Sequence, residues 1–138
     1  MCTGANTLVW LALAPNGAAG TTYYPVEFTN LGSASCVLFG YPGVSAVTKS
    51  GRQLGPAAGR FPAKRHNVTL KPGQTAHAAL GIVTDGVIAH CQNATGAGLK
   101  VYPPNQRGFQ FVFNFTFPVC KNKVFMHVYP VTPGIGVP

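Results

Sequence analysis

Apolar and polar residues alternate with a period of two through most of this chain. Side chains of a strand point to opposite faces in turn, so such alternation restricts the fold to sheets with one face buried. In Thr22–Thr29, Tyr24, Val26 and Phe28 share one face, and Tyr23, Pro25, Glu27 and Thr29 the other. Ala76, Ala78, Leu80, Ile82 and Thr84 alternate with His77, Ala79, Gly81 and Val83. Phe109, Phe111, Phe113, Phe115 and Phe117 alternate with Gln110, Val112, Asn114 and Thr116, and this pattern predicts five phenylalanines on one inward face. Val124–Tyr129 reads as the last strand, with Val124, Met126 and Val128 opposite Phe125, His127 and Tyr129. Leu8–Leu13, Cys36–Phe39, Val44–Thr48, Asn67–Leu70 and Leu99–Tyr102 are further strands.

Glycine and proline punctuate these runs at short intervals. Pro72-Gly73 suits a type II turn, because Pro fixes the first central φ and Gly tolerates the positive second. No segment keeps a helical apolar stripe, although residues 86–98 have room for one helical turn. The reading is an all-β, immunoglobulin-like β-sandwich of about eight or nine antiparallel strands. Residues 1–138 form a single domain in this reading. Its core runs from Cys2 to about Gly134, Pro56–Arg65 is a long surface loop, and the Pro- and Gly-rich C-terminal tail is loose.

Charge narrows the function classes. Ten Lys and Arg face two acids, Glu27 and Asp85, for a formal net charge of +8. Two carboxylates are too few for most acid/base or metal-carboxylate sites. Asp85 precedes Gly86 and reads as a turn residue, and Glu27 reads as an outward strand position. A small hydrolase using these two acids is the weakest alternative, since a triad needs an acid to orient its histidine. His90-Cys91 and Met126-His127 offer soft metal donors, but strand neighbours point to opposite faces. We therefore expect no catalytic, cofactor-binding or metal-ligating residues. Apolar residues at 46% exclude a disordered chain, and no apolar run reaches the roughly 18 residues of a membrane span.

Cys2, Cys36, Cys91 and Cys120 show no Cys-x-x-Cys spacing. An even, widely spaced set reads as two disulfides and an oxidising compartment. Four cysteines permit three pairings, among which sequence does not choose; we favour Cys2–Cys36 and Cys91–Cys120, one in each half. The start lacks a basic segment before an apolar run, so a mature fragment with an added Met is expected.

Lys49, Arg52, Arg60, Lys64, Arg65 and Lys71 crowd into one stretch without an acid, and they are the candidate anion-binding residues. Tyr23, Tyr24, Phe39, Tyr41 and Tyr102 are candidate groove aromatics.

Several ordered marks carry a resemblance. Cys2-Thr3 opens the chain, Thr22-Tyr23-Tyr24 leads the second strand, and Gly40-Tyr41-Pro42-Gly43-Val44 follows Cys36. Val101-Tyr102-Pro103-Pro104 and Val131-Thr132-Pro133-Gly134 come later. Together they resemble an actinobacterial domain-of-unknown-function family of secreted proteins and lipoproteins. The resemblance implies an exported or cell-envelope β-sandwich with Cys2 bridged to Cys36, and it implies no catalytic residues. The five-Phe segment and the strong positive charge stand apart from the usual pattern. The function expected is a non-catalytic, extracytoplasmic binding or interaction module. Its partner would be an anionic envelope polymer or another protein, not nucleic acid, with peripheral membrane proximity. The alternative is a basic-loop binder of anionic cell-wall glycopolymer or lipid headgroups.

Overall fold

The computed structural model describes residues 1–12, 16–18, 20–83, 88–113 and 115–136, the stretch 16–18 by its backbone alone. Among these residues the chain is all-β, with one short 3-10 turn at Gly4–Asn6. The first strands are β1 (Thr7–Leu11), β2 (Asn16–Ala18), β3 (Thr21–Asn30), β4 (Cys36–Phe39) and β5 (Gly43–Val47). They are followed by β6 (Gly59–Arg60), β7 (Asn67–Leu70), β8 (Thr75–Val83), β9 (Asn93–Gly96) and β10 (Gly98–Tyr102). The last are β11 (Gln110–Val112), β12 (Phe117–Cys120), β13 (Met126–Val128) and β14 (Thr132–Pro133). The largest sheet runs β1-β3-β8-β13-β6, with β2 on β3 and β14 on β8. A three-stranded sheet runs β11-β10-β5, and β12–β9 and β4–β7 form two-stranded sheets. The eight or nine strands expected are thus more numerous, shorter pieces in one large and several small sheets. Pairing is antiparallel except between β13 and β6.

The β3–β8 ladder is the longest, from Thr21↔Val83 to Thr29↔Thr75. Alternation positions both strands as read: Val26, Phe28, Ala76, Ala78, Leu80 and Ile82 all enter the core. Pro25 is tolerated in this central strand for a specific reason. Ala79 opposite it gives its carbonyl to Tyr129 N, at 3.0 Å, so the missing N–H leaves no β3–β8 rung unmade. Leu99, Val101, Val44, Leu38, Val68 and Val119 bring the smaller sheets into the same core cluster. Both favoured disulfides are present. Cys2–Cys36 joins the N-terminus to β4, and Cys91–Cys120 joins the β9 approach to β12. The Lys71–Gln74 turn closes as expected, with Gly73 at φ +83° and Gln74 N donating to Lys71 O at 2.9 Å.

Several expectations are corrected. The Phe109–Phe117 segment is not one strand, and its apolar face is not inward. Phe109, Phe111 and Phe113 are 45%, 41% and 48% exposed. Inward instead go Val112, which is buried, and Gln110. The Gln110 side chain accepts from Val9 N at 3.0 Å and donates to Thr7 O, satisfying backbone on the free edge of β1. The chain then leaves the sheet, and only Phe117 of the five is buried, stacked on half-buried Phe115 at 4.8 Å. Pro56–Arg65 is not wholly a loop, because Gly59–Arg60 pairs with β13. Of residues 86–98, with room for one helical turn, the described part 88–98 holds β9. The strand expected over Val124–Tyr129 is shorter, β13 starting at Met126 with Val124 exposed and Phe125 buried, and it is not the last, because β14 follows it.

Glu27 and the tail are corrected together. Glu27 is 0% exposed, not outward-facing in solvent. Through Gly136, the tail lies across the outer face of β3 and β8. A Cβ built on Gly136 would stand 2.3 Å from Pro25 Cβ, so only glycine permits this approach. Gly136 N donates to both Glu27 carboxylate oxygens at 3.1 Å. His77 Nδ1 lies 2.8 Å from Gly134 O and must carry the proton there, and its Nε2 lies 3.2 Å from Thr132 Oγ1. Burial raises the Glu27 pKa above the ordinary glutamate value, against the lowering pull of the Gly136 N–H and of His77.

A carboxyl whose pKa is raised on folding favours the folded state below its unfolded pKa. That contribution is lost as pH rises through the folded value. Glu27→Gln keeps an acceptor for Gly136 N–H and removes the buried charge. Thermal melts should show Tm raised by a few degrees at neutral pH and a flatter pH dependence between mild acid and neutrality.

Candidate functional site

Tyr41 organises a polar hollow on the surface. The turn Gly40-Tyr41-Pro42 joins β4 to β5, and Gly40 takes φ +96°, which an L side chain resists. Gly40 O accepts from Val131 N at 2.9 Å. The Tyr41 ring is buried. Its hydroxyl donates to Phe61 O at 2.7 Å and accepts from Ala63 N at 3.3 Å. One side chain thereby pins the segment that follows β6. Phe61 N also donates to Val128 O at 2.9 Å.

Two guanidinium groups meet at that ring. Arg60 Cζ lies 5.1 Å from its centroid and Arg65 Cζ 5.2 Å. Both distances are within cation–π range. They line a hollow of about 280 Å³ with Tyr102, Asn105 and Gln106. Asn105 takes φ +61° and its Nδ2 donates to Phe39 O at 2.9 Å, holding this wall against β4. Among the described residues no carboxylate pairs with either arginine, and Glu27 is buried under the tail. Guanidinium donors held this way suit the oxygens of a carboxylate or phosphate.

The other candidate cations lie elsewhere. Lys49 and Arg52 are exposed on a turn after β5, closed by Gly51 N to Thr48 O at 2.9 Å and Arg52 N to Thr48 Oγ1 at 3.2 Å. Lys71 is exposed on the β7–β8 turn, and Lys64 is exposed between the two arginines. Lys123 is tied to Ala89 O at 2.7 Å. The basic stretch is therefore divided by two strands and a turn into separate places, and it is not one loop.

Of the candidate aromatics, Phe39, Tyr41 and Tyr102 line the arginine hollow. Tyr24 packs on Phe115 at 4.9 Å, and burial raises its hydroxyl pKa. Tyr23 joins another group on the outer face of the large sheet. It lies 5.8 Å from the His127 ring, and Phe61 stacks on Tyr129 at 4.5 Å. Burial lowers the His127 pKa and raises that of Tyr129, the latter aided by Tyr23. Gly81 makes this possible, since a Cβ there would come within 2.7 Å of the His127 ring.

Cys91 is bridged to Cys120, which removes its thiolate from any metal site, and Met126 is buried in the core. Asp85 lies outside the described residues. Sequence reasoning missed Asn105 and Gln106 as cleft walls, because loop residues carry no periodicity. It also missed Lys100, whose Nζ stands 4.2 Å from the Phe109 centroid. The alternating pattern of β10 was its only trace.

The chain belongs to the family described as Domain of unknown function (DUF4232). The match spans residues 2–131. No curated protein and no solved structure matches the chain. The DUF4232 span contains both disulfides and the whole Tyr41 hollow. Gly136, which reaches back to Glu27, lies beyond it.

Tyr41→Phe keeps the ring beneath the arginines and removes the hydroxyl. Urea unfolding should show a loss of about 1 kcal/mol. Hydrogen exchange should quicken at Ala63, while β3–β8 amides keep their protection.

Proposed function

We propose that this DUF4232 chain is a non-catalytic, extracytoplasmic binding module with an immunoglobulin-like sandwich architecture. The arginine hollow at Tyr41 takes the anionic groups of a cell-envelope polymer. The observation that carries this reading is the pair of guanidiniums on one buried ring, with no carboxylate beside them among the described residues. Holding two like charges together is unfavourable without an anion, and the ring only partly offsets it. The backbone-pinned walls lower the ordering cost of binding. Two disulfides are consistent with an oxidising compartment outside the cytoplasm. The burial of Glu27 supports a non-catalytic reading, because a carboxylate sealed under the tail has no access to substrate.

Cell-wall fractions bearing anionic glycopolymer provide the test. The protein should be retained at low salt and released as salt screens the charges. Arg60→Gln with Arg65→Gln should weaken retention by about a hundredfold or more, the range for two charge-assisted hydrogen bonds lost. Lys71→Gln, on a separate turn, should change it little. Equal losses from both variants would mean only diffuse charge is sensed, and the hollow would then have no role.

A further inference from the structure

The exposed phenylalanines form a second surface, which adjoins the arginine hollow at Tyr102, 5.5 Å from the Phe109 ring. Phe109, Phe111 and Phe113 project from β11 and its two ends onto the outer face of the three-stranded sheet. Phe109 meets Phe111 edge-on at 5.3 Å, and Phe111 stacks on Phe113 at 5.3 Å. The end of the row is fixed by Gly98, where a Cβ would come 2.5 Å from Phe113 Cδ1. Three adjacent large apolar side chains, each more than two-fifths exposed, exceed the scattered apolar surface of an ordinary domain.

Cations border the row. Lys100 Nζ stands over the Phe109 ring at 4.2 Å and near Tyr102 at 5.3 Å. Lys49 lines a surface hollow with Phe113 and Phe115. Gly51 of the Lys49–Arg52 turn packs on Phe111, with a Cβ position 3.1 Å from Cζ. Arg107 is exposed two residues before Phe109. Lys49 and Lys100 thus border the phenylalanines directly, with Arg52 on the turn that packs on Phe111 and Arg107 just before Phe109 in the chain.

We propose that this face docks on an anionic lipid surface, with the phenylalanines entering the interface and Lys49, Arg52, Lys100 and Arg107 meeting headgroup phosphates. Charge complementarity selects the occupant. A second copy would bring these four cations against their equivalents, which like-charge repulsion opposes. A sugar platform needs an open ring face. Here Phe111 and Phe113 stack on each other, and Lys100 stands over the Phe109 ring. Exposed aromatic rings beside basic residues suit the boundary between headgroups and acyl chains.

Vesicle co-sedimentation tests this with the full chain. Phosphatidylglycerol–phosphatidylcholine vesicles should bind it, pure phosphatidylcholine vesicles about tenfold less, and salt near 1 M should weaken the first. Phe111→Ser with Phe113→Ser should reduce binding about tenfold with Tm retained, since both rings are exposed. If that variant misfolds, Lys49→Glu with Arg52→Glu on the exposed turn serves instead, with loss again expected. Arg60→Gln with Arg65→Gln should bind vesicles as the unaltered chain does, which separates this proposal from the polymer reading. Equal binding to both vesicle types would overturn the proposal. So would anionic binding untouched by the phenylalanine changes. Self-association in sedimentation velocity that Phe111→Ser abolishes, without vesicle binding, would overturn it and assign the face to a protein contact.

Discussion

The β3–β8 ladder is the constraint from which the rest of this structure hangs. Its inward faces supply Val26, Phe28, Leu80 and Ile82 to the core. Its edges recruit further strands of the large sheet: β1 and β2 on β3, β13 and β14 on β8. Through β13 the ladder positions β6, and β6 carries Arg60. The outer face of the same ladder accepts the tail over Glu27 and His77. Core packing and surface chemistry therefore share one register, and a one-residue slip would exchange their faces.

The positive charge is organised in two ways. At Tyr41, two cations from different segments share one ring, and the surrounding walls are polar and pinned by backbone hydrogen bonds. Around β11, cations border an apolar row. The first arrangement suits discrete anionic groups, and the second suits a surface that is both charged and apolar. With Glu27 sealed beneath the tail, that carboxylate has no ion-pairing role at either place.

Much of the scaffold was legible in the sequence because burial imposes a period. β4 and β7 run Cys36–Phe39 and Asn67–Leu70 as read, and the alternating run from Ala76 lies in β8 as far as Val83, with Thr84 outside the described residues. The disulfides follow the favoured pairing. Polarity of a face was less legible. Alternation in Phe109–Phe113 is real, but it does not say which set goes in. There the amide of Gln110, required by the edge of β1, and the smaller Val112 take the inner side. Glu27 misled for the converse reason, because its outward face is covered by a tail about a hundred residues away in sequence. The candidate cations were found as a cluster in sequence, yet only Arg60 and Arg65 meet. Loop closure by the Tyr41 hydroxyl brings them together, and no local pattern encodes that contact.

The central claim is that the Tyr41 hollow is a defined anion site and not one part of a diffuse positive surface. An NMR titration of arginine Nε–H and asparagine amide signals with polyglycerol phosphate tests it most directly. The account predicts that Arg60, Arg65 and Asn105 shift together along one saturable curve, while Arg52 and Arg107 move little. Small, unsaturating shifts shared by all the arginines would contradict it.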